Sequence, residues 1–187
     1  MSNGTPALVH LVRAKIPHQI HHYEIPEADG PAQARGERIS YGLAAAAALG
    51  IPLAQMFKSL VVALEHAAGV PSARGARGAR GARQEEMGIA LLPVDREASL
   101  KRVARAFGAR RAELLDAAEV TKVTGYVIGG VSPFGTKRSL PVVIDDAVLS
   151  LPRVYLSAGQ RGVAIEIASA DLISGLDALV APISGAD

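Results

Sequence analysis

The chain has 187 residues, 49% of them hydrophobic, and no cysteine. This length suits one domain with a substantial core, because two independent domains would each be unusually small. Without cysteine the chain cannot form a disulfide scaffold, a thiolate zinc site or a cysteine nucleophile, and it suits a reducing compartment. No apolar run approaches the roughly 20 residues that span a bilayer, and the N-terminus lacks a signal-peptide core. We therefore expect a single cytoplasmic domain over residues 1–187 that does not enter a membrane.

The formal net charge of +2 is unevenly distributed along the chain. Arg74, Arg77, Arg80 and Arg83 belong to a Gly-Ala-Arg repeat, and without these four the chain carries 16 basic against 18 acidic residues. The repeat cannot bury apolar surface, so it is predicted to form a mobile insertion at 72–86 within the domain. Its arginines could hold nucleic-acid phosphates, but an expanded loop without a role explains them equally well. The remaining composition does not by itself indicate a nucleic-acid-binding protein.

Local patterns predict two helices and three strands before residue 95. Thr5 and Pro6 mark the N-cap and first position of a helix that ends before Pro17. Alternation over 18–25 predicts a strand with His21 and Tyr23 on one face. The other predicted elements of this part are a loop at 26–38, a helix at 40–49 that ends at Gly50, and buried strands at 57–64 and 88–94.

In the second half of the chain, Ser99 is predicted to cap a helix that Gly108 ends. The further predicted elements are a helix at 113–120, strands at 140–144, 154–156 and 163–167, and a closing helix at 171–180. Strands and helices follow one another without a regular βαβ rhythm. The sequence thus predicts an α+β, or mixed α/β, domain with a central mixed sheet surrounded by helices.

The segment TGYVIGGVSPFGTKRSLPVVID at 124–145 places three glycines and a Ser132-Pro133 turn between two apolar, strand-like runs. Gly129, Gly130 and Gly135 would let backbone amides approach a ligand, and such amides can hold an oxyanion or a phosphate. The same glycines could simply form a turn between strands. Because the order of residues matches neither a Walker A loop nor a GxGxxG fingerprint, a nucleotide cofactor is disfavoured, and no cofactor is predicted.

Three motifs occur together in a characteristic order: FKSLV at 57–61, GGVSPFG at 129–135, and YLSAGQRG at 155–162, which Ile165 and Glu166 follow. This combination resembles the YbaK/EbsC family of freestanding aminoacyl-tRNA deacylases, relatives of the editing domain of bacterial prolyl-tRNA synthetases. The likeness covers nearly the whole chain. It implies a domain of the YbaK/aminoacyl-tRNA synthetase-associated type, with a partly barrel-like central sheet.

The resemblance also implies a function in translation fidelity. The protein would hydrolyse the ester of a mischarged tRNA in trans, with Cys-tRNA(Pro) or another small amino acid on tRNA(Pro) as substrate. Aminoacyl-tRNA is the expected partner, and prolyl-tRNA synthetase is a candidate second partner. In the cysteinyl branch of the family the substrate thiol attacks its own ester, whereas water attacks alanyl-type substrates. The alternative of another class is a non-catalytic module of the same fold that binds tRNA or a synthetase.

Catalytic roles carried over from the resemblance fall on Lys58, Gly129 and Gly130. Lys58 would act at the ester end of the charged tRNA, where a cation could bind the terminal ribose-phosphate or polarise the acyl carbonyl without transferring a proton. From the residues alone, a strand-end lysine that extends to water is the commoner interpretation, and the resemblance reverses it. Gly129 and Gly130 would present backbone amides to the aminoacyl carbonyl.

The resemblance assigns the remaining pocket wall to residues from four parts of the chain. Tyr23 could instead be an aromatic residue at the core edge, and Arg161, a candidate phosphate ligand, could be a solvated turn residue. Ala164 occupies the position where cysteinyl-specific members, with GLDIEL, have aspartate, so an alanyl or seryl substrate is an alternative. The implied substrate-binding residues are Tyr23, Ser132, Pro133, Gly135, Ser157, Gly159, Arg161, Gly162 and Ala164.

Other catalytic arrangements find little support in the sequence. His21 and His22 would point to opposite faces of a strand, which disfavours a metal site built on them. No serine lies in a GxSxG elbow, so a Ser-His-Asp triad is not predicted. These observations suit a site that works by positioning the substrate and stabilising an oxyanion.

Overall fold

The computed structural model describes residues 4–24, 40–66 and 86–185. The predicted loop at 26–38 and the Gly-Ala-Arg insertion, apart from Glu86, lie outside the described residues. The helices of the described part are α1 (Pro6–Arg13), α2 (Tyr41–Leu49), α3 (Leu100–Ala106), α4 (Ala117–Thr124) and α5 (Ser169–Gly175), with short 3-10 helices at Leu53–Gln55 and Asp146–Ser150. The strands are β1 (Gln19–His22), β2 (Phe57–Glu65), β3 (Glu86–Pro93), β4 (Arg111–Leu114), β5 (Val142–Asp145), β6 (Arg153–Ser157), β7 (Val163–Ala168) and β8 (Leu179–Ala181).

These strands form two sheets. The first is antiparallel, with the order β1-β7-β6, and the second has the order β4-β2-β3-β5-β8. In the second sheet, β2 runs antiparallel to β3 and β4, whereas β3 with β5 and β5 with β8 are parallel. The predicted mixed α/β class is therefore confirmed.

The expected partly barrel-like sheet takes the form of two open sheets, neither of which closes in the described part of the chain. Met56 forms an isolated bridge with Tyr155 between the two sheets. The pairing with Tyr155 does not continue along β2, whose partners are β3 and, from Val62, β4. Two open sheets result.

Strand β2 is covered on both faces, and its alternation fixes where its polar residues lie. Phe57 and Val61 pack into the core shared with the three-stranded sheet. Val62 and Leu64 belong to a second apolar cluster with α3. Since side chains alternate along a strand, Lys58 lies on the α3 face and Ser59 lies on the opposite face.

The predicted helix caps are confirmed. Thr5 Oγ1 accepts a hydrogen bond from Leu8 N at 3.3 Å, and Ser99 Oγ accepts one from Arg102 N at 3.2 Å. Gly50 ends α2 with φ of 65°, a conformation that favours glycine. Among the described residues no helix has the length and apolar character needed to cross a membrane.

Two predicted helices are partly wrong because tertiary strand pairing overrides the local pattern. Within 113–120, the chain first completes β4, in which Ala112 pairs with Leu64 at the sheet edge. Helix α4 starts only after Asp116, whose Oδ1 accepts from Glu119 N at 2.8 Å. Within 171–180, the helix stops at Gly175, and β8 follows to pair Leu179 with Val143.

Candidate active site

A cavity of about 260 Å³ opens where α2, the start of β2, the loop at 128–131 and the three-stranded sheet meet. Five of the residues predicted from the sequence line it: Tyr23, Lys58, Gly129, Ser157 and Ala164. Other lining residues were not predicted, and they include Tyr41, Ser59, Met56 and Leu60. The fold thus brings together residues from the N-terminal strand, β2, the glycine-rich segment and the hairpin of β6 and β7.

Lys58 is a partly buried cation on the cavity wall. Its Nζ donates hydrogen bonds to the carbonyl oxygens of Arg96 at 2.5 Å and Val94 at 3.4 Å, in the turn after β3. Burial lowers the pKa of Lys58 below its ordinary value, and the nearby carboxylates of Asp95 and Glu97 partly oppose that effect. An ammonium has three N–H donors, and the described residues supply two acceptors, so one donor remains for a bound molecule.

Gly129 forms the wall opposite α2, in contact with Tyr41. Its φ of 86° is in the left-handed region, and a Cβ added there would lie 2.6 Å from Tyr41 Cγ. Only glycine allows the loop to approach the ring this closely. Sequence patterns gave no sign of a role for Tyr41, because it begins an alanine-rich helix and belongs to none of the three motifs.

Arg161 contacts the same tyrosine from the turn between β6 and β7. Its guanidinium carbon lies 4.4 Å from the centroid of the Tyr41 ring, and its Nε donates to the carbonyl oxygen of Ile128 at 2.9 Å. Arg161 therefore connects α2 with the glycine-rich loop. Its suggested contact with a substrate phosphate stays a prediction.

The other predicted glycines lie behind the cavity wall. Gly130 is buried, and a Cβ there would lie 3.0 Å from Gln160 Cα. The carbonyl of Gly162 accepts a hydrogen bond from Tyr23 N at 2.9 Å and so positions that tyrosine. Gly159 has φ of 95° and packs against the ring of Tyr126. Gly135 has φ of 65° and packs against the backbone at the start of α1.

Ser132 and Pro133 are buried and anchor the glycine-rich loop to the core. Ser132 Oγ accepts from Phe134 N at 3.4 Å, and the carbonyl of Phe134 accepts from the Tyr126 hydroxyl at 2.8 Å. Burial raises the pKa of Tyr126 to about 12, so the hydroxyl keeps its proton for this bond at neutral pH. These residues shape the loop and do not line the cavity.

The floor of the cavity is formed by the three-stranded sheet. Ala164 is only 1% exposed and pairs with His21 on one side and Ser157 on the other. Two residues further along β7, Glu166 Oε2 lies 2.9 Å from His21 Nε2. Burial also raises the pKa of Tyr23 at the cavity edge, so its phenol is neutral at physiological pH. Within the described part of the chain, no three His, Asp or Glu side chains come together as a metal site would require.

Residues 41–174 match the model of the aminoacyl-tRNA editing domain. The chain belongs to this family. The match covers most of the sequence and includes every predicted site residue except Tyr23. The resemblance found in the sequence motifs is therefore confirmed.

Two curated relatives of this editing-domain chain are named as deacylases. The "Putative Cys-tRNA(Pro)/Cys-tRNA(Cys) deacylase EbsC" of Enterococcus faecalis is 34% identical over 86 residues, which are 46% of this chain and 52% of the relative. The "Multifunctional Ser/Thr-tRNA deacylase ProXp-y" of Escherichia coli is 30% identical, with the same shares covered. The chain thus spans about half the length of the curated relatives it matches.

A solved structure extends the likeness to nearly the whole editing-domain fold. A crystal structure of a "putative trans-editing enzyme for prolyl tRNA synthetase" superimposes with a TM-score of 0.70. The match covers 96% of this chain and 95% of that chain, at 20% sequence identity. At this identity the comparison establishes the fold.

Proposed function

We propose that this protein is a trans-editing deacylase, which hydrolyses the ester between a small, wrong amino acid and tRNA(Pro). The observation that carries the proposal is Lys58, which lines a cavity to which all three family motifs contribute and whose ammonium is held by the carbonyl of Arg96. The names of the two relatives support the same chemistry. The structural relative supports prolyl-tRNA synthetase as the enzyme whose errors are removed.

Cavity size supports a small amino acid. Its volume of about 260 Å³ lies just below the roughly 300–1,000 Å³ of ordinary ligand pockets. The floor at Ala164 presents a methyl group, and the nearby Ser157 adds a hydroxyl. An uncharged side chain such as that of cysteine, alanine or serine fits these surroundings. Cys-tRNA(Pro) is our first candidate substrate, and Ala-tRNA(Pro) and Ser-tRNA(Pro) are the others.

The proposed mechanism needs no protein nucleophile. The remaining donor of Lys58 would bind the terminal ribose-phosphate or polarise the acyl carbonyl, while the backbone amide of Gly129 stabilises the oxyanion. The Gly130 amide already donates to the carbonyl of Val127 at 2.9 Å, so we give it no part in the step. Water, or the thiol of a cysteinyl substrate, would attack the carbonyl carbon, and the tRNA hydroxyl would leave. Close positioning of the reacting groups would supply much of the rate enhancement.

The test is hydrolysis of tRNA(Pro) charged with Cys, Ala, Ser or Pro. Wild type is compared with Lys58→Ala and with Lys122→Ala, which removes an exposed lysine of α4 outside the cavity. We expect fast loss of at least one mischarged species, with Pro-tRNA(Pro) spared. Lys58→Ala should abolish this turnover and Lys122→Ala should preserve it. Binding of all four without turnover above the spontaneous rate would contradict a deacylase and favour a non-catalytic tRNA-binding module.

A further inference from the structure

Asp145 is a completely buried carboxylate at the end of β5, outside the cavity wall. Its Oδ1 accepts from Arg96 Nη1 at 3.2 Å and Ala147 N at 3.3 Å. Its Oδ2 accepts from Ser184 N at 2.8 Å and Ile183 N at 3.2 Å. A buried charge is tolerated only when it is paired and hydrogen-bonded, and these four donors meet that requirement. Asp145 thus joins the turn after β3 to the segment at 183–184.

The turn after β3 is fixed by further backbone contacts. Gly185 N donates to the carbonyl of Glu97 at 3.0 Å, and Ser99 N donates to the carbonyl of Ile183 at 2.9 Å. Ala98 also forms an isolated antiparallel bridge with Ser184. These bonds hold residues 97–99, whereas the Arg96 side chain reaches Asp145 from just before them. The backbone before residue 97 is also held, because Val94 N donates to the carbonyl of Met56 at 2.8 Å and Arg96 N to the carbonyl of Pro93 at 3.1 Å. The ion pair adds a side-chain restraint at Arg96, whose carbonyl accepts from Lys58.

Arg96 connects the Asp145 carboxylate to Lys58 through two different groups. Its guanidinium binds Asp145, and its backbone carbonyl accepts the 2.5 Å hydrogen bond from Lys58 Nζ. A lysine side chain is flexible, so it keeps one orientation only where acceptors are already in place. Val94, at the start of the same turn, supplies the second acceptor.

We propose that Asp145 and Arg96 are positioning residues, which fix the carbonyl oxygens that hold the Lys58 ammonium at the cavity wall. Neither side chain needs to touch the substrate. The effect on catalysis rests on the proposed function, whereas the effect on the order of the Lys58 side chain does not. The lowered pKa of Lys58 agrees with a cation that is held in a partly buried place rather than extended into water.

The first variant is Arg96→Gln, which removes the ion pair and keeps the backbone carbonyl. The arginine side chain is 46% exposed, so the substitution leaves no cavity, but it leaves the buried Asp145 carboxylate without its cation and should also lower stability. Arg102→Gln is the matched control, because Arg102 Nη1 donates to the carbonyl of Ser184 at 2.7 Å and binds the same C-terminal segment from α3. Arg96→Lys keeps the charge and tests rescue. Asp145→Asn removes the charge from the other side of the pair.

Single-turnover hydrolysis of the fastest mischarged substrate should fall by about tenfold or more in Arg96→Gln, since small misplacements of a reacting group have effects of this size. Arg102→Gln should stay close to wild type, and Arg96→Lys should recover part of the loss. Thermal unfolding of each variant shows whether a fall in the hydrolysis rate is caused by a loss of stability instead. Equal rates in Arg96→Gln and Arg102→Gln at similar stability would overturn the proposal.

A second measurement does not depend on activity. Nuclear magnetic resonance relaxation of the Lys58 ammonium reports the mobility of its side chain. We expect higher mobility in Arg96→Gln than in wild type or Arg102→Gln. Unchanged mobility would overturn the positioning role even where hydrolysis falls. Should wild type hydrolyse no charged tRNA, the proposed function fails, and the relaxation result still decides the positioning role.

Discussion

The guanidinium of Arg161 lies over the ring of Tyr41, 4.4 Å from its centroid, and joins the turn after β6 to the first residue of α2. The Nε of the same arginine donates to the carbonyl of Ile128. One side chain therefore holds together three walls of the cavity. Arg161 thus has a structural role that does not depend on binding a phosphate.

Arg161→Ala should loosen α2 over the cavity. A cation over an exposed aromatic ring contributes about 0.5–1 kcal/mol, and the hydrogen bond to Ile128 is lost as well, so the free energy of unfolding should fall by about 1–3 kcal/mol. We expect KM for the charged tRNA to rise by a larger factor, because substrate binding must then also fix the positions of α2 and the glycine-rich loop. Arg161→Lys keeps a cation near Tyr41, so its KM should lie between the values for wild type and Arg161→Ala. A KM unchanged in both variants would argue against this role.

Gly129→Ala should be strongly destabilising. An alanine there has both a left-handed φ and a Cβ 2.6 Å from the Tyr41 ring, and together these should cost about 2–5 kcal/mol. Gly50→Ala is the matched control, because its φ is 65° but no atom lies within 4 Å of the added Cβ.

Gly50→Ala has only the backbone strain of a left-handed φ and no steric clash, so its stability should fall by about 1–2 kcal/mol. Chemical denaturation measures both variants. Similar losses at the two positions would mean that the Tyr41 ring moves aside freely, and Gly129 would then not be required for close packing.

The pH dependence of hydrolysis should reflect the lowered pKa of Lys58. As pH rises through that pKa, the ammonium loses its proton and hydrolysis should decline, starting below the ordinary value of 10.5. Lys58→Arg keeps its charge across this range, so any activity it retains should not show the decline. Rates are measured in single turnover and corrected for spontaneous ester hydrolysis.

Stability should change in the opposite direction over the same interval. Between the lowered folded pKa and 10.5, the unfolded chain binds the Lys58 proton more readily than the folded chain. The contribution of this group to stability therefore rises with pH across that interval. A Lys58 titration midpoint at or above 10.5 in nuclear magnetic resonance spectra would contradict both expectations.

Ala164→Asp should shift the substrate preference toward cysteine. The aspartate restores the residue that the cysteinyl-specific pattern has, and it places a carboxylate on the cavity floor. Burying a carboxylate at this 1% exposed position near Glu166 should reduce stability by about 3 kcal/mol or more. Ala164→Val fills similar space without charge and should slow all substrates together. The measurement is the ratio of Cys-tRNA(Pro) to Ala-tRNA(Pro) hydrolysis, and an unchanged ratio in Ala164→Asp would refute a specificity role.

The sequence motifs predicted several residues of the cavity, and local patterns predicted most of the strands but not their partners. Lys58, Gly129 and Ser157 belong to the three family motifs, and the fold places all of them on one wall or another of the same cavity. Strand partners, in contrast, depend on residues far apart in the chain. The pairing of β4 with β2 turned part of a predicted helix into an edge strand.

Residues that act through long-range contacts could not be predicted from local patterns. Asp145 and Arg96 are 49 positions apart, and neither is unusual in its local sequence. Tyr41 lies next to Gly129 and Arg161 only after α2 has packed over the cavity. Helix caps such as Ser99 were predictable, because cap and helix are neighbours in the chain.

The two faces of β2 have a consequence for how this family could vary. A slip of one residue against β3 would exchange Lys58 with Ser59 and remove the cation from its acceptors. The two strands are separated in the sequence by residues 66–85. The register is set by apolar residues on both faces of the strand, with Val61 on one and Val62 on the other. The length of the connection can therefore change during evolution, as a repeat expands or contracts, while the lysine keeps its place.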